Sequence, residues 1–412
     1  MVPEGWKTAS FGSLLASGDL HGIQDGNHGE LHPKASDYVD RGVPFIMARD
    51  LTRGTINFST CAYIHTEQAR KLRTGHARPG DVLISHKGTV GEVALVPNQF
   101  PEIVLTPQIT YYRVRSGGRL DAGYLFSVVS SHAFLSRFRS LAAQSTRDYL
   151  GITQQKKLEI WLPPLAEQKR IADILSTWDK AIETTENLLA NAEKQKRALM
   201  QQLLTGGRRL KGSEGEWNHV SLNTVFERVT RKNTQGNQNV LTISGRDGVI
   251  SQRMYFNKLV AAADTSGYTL LRGSEFAYNK SYSAGYPLGA IKMLHPEVTG
   301  ILSSLYICFR LRDKTKDCAD FFRHWFEFGG LNRELSVVAQ EGARNHGLLN
   351  VGISDFFGLR IVRPGVDEQR EIADTLNLAE ANVRALEDQR EVLRREKHAL
   401  MQQLLTGKRR VI

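Results

Sequence analysis

The sequence predicts an α/β protein written twice: two mixed α/β heads joined by two long antiparallel helices that form a coiled-coil spacer, with the halves related by a pseudo-two-fold internal repeat. Three observations predict it. The nine residues ALMQQLLTG stand at 198–206 and again at 399–407. Sliding the chain by 201 positions aligns 151–209 with 352–410 without a gap and gives 24 identities in 59 positions. Each aligned tail then runs free of Pro and Gly from just after Pro163-Pro164 or Pro364-Gly365 to Gly206 or Gly407, which marks a helix by its start and its stop.

At ~1.5 Å per residue, a helix of about 40 residues is a rod of roughly 60 Å. Its apolar residues form a narrow seam. Positions 175, 178, 182, 185, 189, 192, 196, 199 and 203 carry seven apolar residues of nine, and so do the nine positions 201 later, Leu376 to Leu404. Two seams of equal length favour a two-helix coiled coil, and a two-fold relation between halves of one chain makes its helices antiparallel. The expected divisions are a first head over 1–163, a central long helix over 164–210, a second head over 211–364 and a C-terminal long helix over 365–412. Within the heads, DVLISHKGTVGEVALV at 81–96 and YPLGAIKML at 286–294 read as strands, while 123–138 and 318–335 have helical spacing.

A chain of 412 residues exceeds what one core supports, which agrees with two heads. No segment approaches the ~18 consecutive apolar residues of a membrane span. The start MVPEGWKTASFG lacks a secretory pattern, and Cys61, Cys308 and Cys318 form no disulfide or zinc spacing, so a reducing cytoplasm is expected. The net charge of +11 and pI near 9.5 favour nucleic acid as partner.

Catalytic motifs are missing. The sequence holds no phosphate loop, no dinucleotide-binding GxGxxG and no HExxH pair. His21, His28 and His32 lie in a Gly-rich polar loop and read as solvated, and RNHGLLN at 344–350 lacks the acidic cluster a nuclease needs. A non-catalytic chain without metal or cofactor of its own is expected. What the heads do carry is basic and amide-bearing loops: 47–54, 84–91, 106–108 and 143–150 in the first, and 243–253, 278–287 and 342–350 in the second. Such side chains hydrogen-bond base edges, and Gly permits close approach.

The phrase LPPLAEQKRIADIL, the matching EQREIADTL, the twin MQQLLTG endings, and YNKSYSAGYPLGAIKML followed by ILSSLYICFRL resemble the specificity subunit of type I restriction-modification systems. The resemblance implies two target-recognition domains, each reading one half of a split site in double-stranded DNA. It also implies two methyltransferase subunits that methylate adenine N6, joined by restriction and motor subunits. S-adenosylmethionine, ATP and Mg²⁺ would then belong to those partners. Differing heads imply an asymmetric bipartite target, with half-sites about one duplex turn apart if the heads lie on one face.

For DNA contact this reading selects Arg49, His86, Lys87, Thr89, Gln108 and Arg147 in the first head, and Arg246, Asn279, Lys280, Tyr282, Arg344 and His346 in the second. For partner subunits it selects the outer helix faces at Glu167, Gln168, Glu368 and Gln369; the alternative for these is that they complement the helix dipole. Rival functions are a recognition subunit of a related system that cuts on both sides of its site, a self-contained nuclease or methyltransferase, and a coiled-coil linker.

Overall fold

The computed structural model describes the chain apart from residues 1, 30, 145–147, 211, 214, 246, 257–263, 283–284, 342–348 and 412. Two compact units emerge, Met1–Glu186 with Asp388–Ile412, and Asn187–Glu387. Each holds one head, the beginning of one long helix and the end of the other.

In the first unit, strand Lys7–Ser10 pairs antiparallel with Glu159–Leu162. Pro163 and Pro164 cannot extend that ladder, and the long helix Leu165–Leu204 starts directly beyond them. The head's main antiparallel sheet has the order Val93–Leu95, Val82–Ser85, Ile109–Val114, Leu20–Asp25. A second sheet sets Val43–Ile46 parallel to Ile103–Leu105. Helices Ala122–Val129 and His132–Ala142 begin where Asp121 and Ser131 accept the backbone N–H groups of Tyr124 and Phe134. Phe11, Tyr112, Tyr124 and Phe138 fill the core together with Ile171 and Leu175 from the first long helix and Leu404 from the second.

The second unit repeats this plan with other residues. Asn218–Ser221 pairs with Arg360–Arg363, and the main sheet runs Ala290–Met293, Phe276–Asn279, Ile307–Leu311, Phe226–Arg228. Taken in chain order, these four strands occupy the same places as their counterparts in the first unit. The core of Phe226, Phe276, Phe309 and Phe322 is closed by Leu203 and Leu204 at the end of the first long helix and by Ile372 and Leu376 near the start of the second. Burying these helix ends makes each head inseparable from both helices.

The long helices, Leu165–Leu204 and Val366–Leu405, have 40 residues each. Every expected seam position on both is buried or half-buried. Their direction follows from ion pairs inside each unit. In the first, Asp179 pairs with Lys397 and Glu186 with Arg394, so numbers rise on one helix as they fall on the other. In the second, Lys196 Nζ lies 3.4 Å from Glu380 Oε1. Lys196 and Lys397, the lysines that stand at matching positions of the two seams, thus meet carboxylates of the opposite helix, while Arg390 on the second seam pairs with Glu391 of its own helix.

The four residues expected to face partner subunits do not. Glu167, Gln168, Glu368 and Gln369 are all buried. Glu167 accepts Trp6 Nε1 at 3.1 Å and Arg410 at 2.8 and 2.9 Å. Glu368 accepts Trp217 Nε1 at 3.0 Å and Arg209 at 2.5 and 2.8 Å. The glutamines serve the next shell of the head: Gln168 Oε1 accepts Asp121 N at 3.0 Å and Gln369 Oε1 accepts Cys318 N at 2.8 Å, each the residue that caps a head helix. Their amides also donate to Pro163 O and Pro364 O, both at 2.9 Å. The correction has a physical reason. A carboxylate or amide can be buried at a helix start when donors from distant chain segments satisfy it, and local spacing does not reveal those segments.

The repeated LLTG phrase supplies one of the donors. Gly206 and Gly407 take φ of +71° and +64°, and the chain turns back so that Arg208 N and Arg409 N donate to Gln202 O and Gln403 O. The next residues, Arg209 and Arg410, then reach Glu368 and Glu167. The tryptophans close over the same turn: a Cβ at Gly206 would lie 3.7 Å from the Trp217 ring, and one at Gly407 would lie 3.5 Å from the Trp6 ring.

Two expectations follow. Glu167→Ala strands the Trp6 indole N–H and frees Arg410, and should lower the stability of the first unit by about 2–3 kcal/mol; Glu368→Ala should do the same to the second. Urea unfolding followed by tryptophan fluorescence measures both, and an unshifted midpoint would contradict the assignment. The second concerns His324, buried beside Asn377 Oδ1 at 2.9 Å. Burial, then the Arg323 charge, pushes its imidazole down to about 4 from 6.5. The unfolded chain therefore binds this proton first, so stability is full above pH 6.5 and is lost as pH falls toward 4, by on the order of 3 kcal/mol. Glu380, which despite burial Arg323 and Lys196 hold at about 2, adds its own loss of stability chiefly as pH falls below its ordinary 4.5, so the fall above that pH belongs to His324. His324→Gln should flatten the second unit's stability between pH 6.5 and 4.5 in urea titrations.

Candidate nucleic-acid interface

Strand register decides which loops can meet. In the first unit Ser85 stands opposite Ile109, and Thr110 opposite Asp25, so the ends of Val82–Ser85 and Leu20–Asp25 share one edge with the start of Ile109–Val114. Ile46 lies beside Leu105 in the parallel pair, and Thr106 N donates to Ile46 O at 3.0 Å, so the chain leaves Val43–Ile46 at that edge too. Segments 47–50, 86–91, 106–108 and 148–150 therefore converge. Backbone bonds tie them: His86 N to Gln108 O at 2.8 Å, Leu150 N to His86 O at 3.0 Å and Gly88 N to Asp148 O at 3.3 Å.

Arg49, Lys87, Thr89 and Gln108 are exposed along this edge. His86 is not. Its side chain is 1% exposed, with Nδ1 2.8 Å from Thr110 Oγ1, so it cannot meet a base as placed. Burial, against the pull of Asp25, holds its imidazole below the usual range. Arg147 lies outside the described residues. Part of the loop 47–54 turns elsewhere, since Arg53 pairs with Glu186 of the long helix at 2.9 Å.

Sequence reasoning missed one contributor here. Tyr149, 44% exposed, stands edge-on to the His86 ring at 5.5 Å. It lies within the loop 143–150, where composition points to the basic residue. Asn27 lies behind this edge: its N donates to Leu105 O at 2.8 Å and the residue is buried.

In the second unit, Phe276–Asn279 occupies the place of Val82–Ser85, and Asn279, Lys280 and Tyr282 leave its end. Asn279 Oδ1 accepts Ser281 N at 3.0 Å, and Tyr282 is 62% exposed. Leu349 N donates to Lys280 O at 2.9 Å, which joins 279–282 to 349–350. Arg246, Arg344 and His346 lie outside the described residues. Segment 303–306 was also missed. It connects Thr299–Leu302 to Ile307–Leu311 as 106–108 connects the equivalent strands, and presents Leu305, 62% exposed. The strand order around ILSSLYICFRL could have found it.

The shared element of both edges is a lysine just after the same strand, Lys87 and Lys280. Each is tied to the segment preceding a Gly-Ile helix start, at Gly151 and Gly352. The neighbours differ, His86 against Asn279 and Gln108 against Leu305. Such an edge can place a cation on a phosphate while neighbouring groups meet base edges. Among the described residues no group of three or more His, Cys, Asp or Glu side chains is arranged to hold a metal ion, and no helix is long and apolar enough to cross a membrane.

Residues 18–194 match the family described as Type I restriction modification DNA specificity domain. Over 170 residues the chain is 26% identical to a putative type I restriction enzyme MjaX specificity subunit of Methanocaldococcus jannaschii, a match spanning 40% of this chain and about 40% of that relative's length. Among solved structures it is similar to a type I restriction-modification S subunit from M. genitalium, with TM-score 0.60 and 14% identity over 98% of this chain and 99% of that one. A chain from a type I system studied for complex assembly and conformational transition gives TM-score 0.53 and 16% identity over 98% of each. At these identities the structural likeness is one of fold.

If Lys87 and Lys280 each neutralise one phosphate, Lys87→Ala and Lys280→Ala should each reduce the slope of log K against log salt for duplex binding by about one. Arg53→Ala, whose cation is engaged by Glu186, should leave the slope unchanged. Fluorescence anisotropy from 50 to 300 mM salt, roughly the range over which such contacts titrate, checks both.

Proposed function

From the match of residues 18–194 to the type I restriction modification DNA specificity domain, we propose that the chain's two heads read the two halves of an asymmetric, bipartite site in double-stranded DNA. The observation that carries this reading is the repeated edge. The same strand order ends in a lysine in each unit, while the residues around the lysine differ, as two readers of different sequences require.

In this reading the chain is non-catalytic. The paired helices set the number of unspecified base pairs between half-sites and give methyltransferase subunits a surface on which to dock, with restriction and motor subunits joining that assembly. The docking surface excludes the buried Glu167, Gln168, Glu368 and Gln369 and belongs to the solvent-facing sides of the same helices. S-adenosylmethionine, ATP and Mg²⁺ would be bound by the partner subunits. Those methyltransferases would extrude one adenine in each half-site, since a base must leave the stack for chemistry on its ring substituent. The heads contribute binding and register: lysines hold phosphates, with strong dependence on salt, and the exposed Gln108, Thr89 and Tyr282 with the half-buried Asn279 meet base edges.

Mapping methylated adenines in DNA from cells that express the assembled methylase tests this directly. The expected result is one site of two unlike half-sequences at a fixed spacing. Replacing 211–363 by a head from another such chain should change one half-sequence and leave the other; a change in both, or methylation without a fixed spacing, would overturn the reading.

A further inference from the structure

Behind the exposed edge of the first unit lies a buried polar cluster that neither the fold nor the contacts above require. Thr110 Oγ1 is its centre. It donates to Asp25 Oδ1 at 2.6 Å, and Gln155 Nε2 donates to it at 3.1 Å. His86 Nδ1 lies 2.8 Å away. A hydroxyl has one proton and two lone pairs, so with its proton on Asp25 the remaining lone pair must accept from His86. The bond counting therefore places a proton on Nδ1. Gln155, wholly buried, has its amide engaged at both ends: its Oε1 accepts Tyr112 Oη at 2.5 Å, and its second N–H donates to Leu150 O at 2.7 Å.

This cluster reaches the edge through one residue. His86 binds Thr110 by its ring, Gln108 O by its N–H and Leu150 N by its carbonyl. Three segments that bear exposed groups are thus fixed to each other through His86. Next to it, the turn 87–91 is held from its far side, where Arg139 donates to Val90 O at 3.1 Å and to Gly91 O at 3.2 Å. Lys87 and Thr89 stand between these two anchors.

We propose that His86, with Thr110 and Gln155, is a specificity-positioning device for the first head: it sets Lys87, Thr89, Gln108 and Tyr149 in one register, and base discrimination in that half-site depends on it. The proposal rests on the DNA-reading function above. Discrimination by hydrogen bonds requires donor and acceptor placement to a fraction of an ångström, whereas a lysine on a phosphate tolerates displacement. Loosening the cluster should therefore cost sequence discrimination before it costs affinity for DNA as such. Among the described residues the second head shows no equivalent cluster at Asn279, whose side chain bonds locally to Ser281 N, so its half-site should be unaffected.

The test uses the full chain assembled with its methyltransferase partners, and duplexes carrying the mapped site or single-base changes in either half. His86→Phe keeps a ring against Tyr149 and removes the Nδ1 donor; Thr110→Val removes the hydroxyl at nearly constant shape. Each should reduce discrimination against changes in the first half-site about tenfold, with discrimination in the second half-site and the salt slope unchanged. His86→Asn, which can return an N–H to Thr110, and Thr110→Ser should restore most of it. Equal loss of affinity for matched and changed duplexes, or no loss of discrimination in variants that keep the wild-type near-ultraviolet circular dichroism, would reduce the cluster to a structural role and overturn the proposal. Should His86→Phe not fold, the Thr110→Val and Thr110→Ser pair decides it alone. A wild-type assembly without discrimination in either half-site would instead overturn the DNA-reading function itself.

Discussion

A carboxylate in the first turn of each long helix, Glu167 in one unit and Glu368 in the other, is buried and must be neutralised where it stands. Everything else about the helix junctions serves that need. The cation comes from Arg410 or Arg209, which lie just past the glycine that ends the opposite helix. The indole donor comes from Trp6 or Trp217 at the entrance of the head. One side chain thus ties a helix start, a helix end and a head entrance together. The guanidinium lies over the indole as well, 5.6 Å from the Trp6 ring in one case and 5.8 Å from the Trp217 ring in the other. Loss of the carboxylate would release three chain segments at once.

Between the junctions the helix pair is held more economically. Its seam is half-buried over much of its length, and the two lysines that interrupt it are each matched by a carboxylate across the pair. Exposed ion pairs add little stability, but pairs at fixed positions penalise a shift in register, because a displaced lysine would leave its charge on the seam without a partner. The junctions supply cohesion and the seam supplies alignment.

Much of this architecture is legible in the chain. The helices announce themselves by 40 residues without Pro or Gly, and the seam by its heptad spacing, because both depend on neighbours three and four residues away. Composition points to the loops 84–91, 106–108, 278–287 and 342–350, and strand register brings 86–91 beside 106–108, and 279–282 beside 349–350. What escaped was burial. Glu167 and Gln168 look like an exposed first turn, since nothing nearby says that Trp6, Asp121 and Arg410 will close over them. His86 looks like a loop cation for the same reason: Thr110 and Asp25 are remote in sequence and adjacent only through sheet register. The repeat itself held the missing hint, for Glu, Gln, Gly and the second Arg are kept at matching positions in both copies while exposed neighbours such as Thr177 and Leu378 drift.

That contrast explains how two heads can differ so widely on one scaffold. Each head meets the helices through apolar helix ends buried in its core and through a polar set kept in both copies: the tryptophan at its entrance on the helix-start glutamate, and the helix cap taken by Gln168 or Gln369. The strand ends that carry Lys87 and Lys280 belong to the main sheet and are not part of these contacts. Substitution at the edge therefore leaves the junction intact, and the junction makes no demand on which groups the edge presents. Asn279 with its local turn and His86 with its buried cluster are two solutions to holding a lysine and its neighbours at the end of the same strand. The freedom to vary lies at the edge because the constraint has been concentrated at the glutamates.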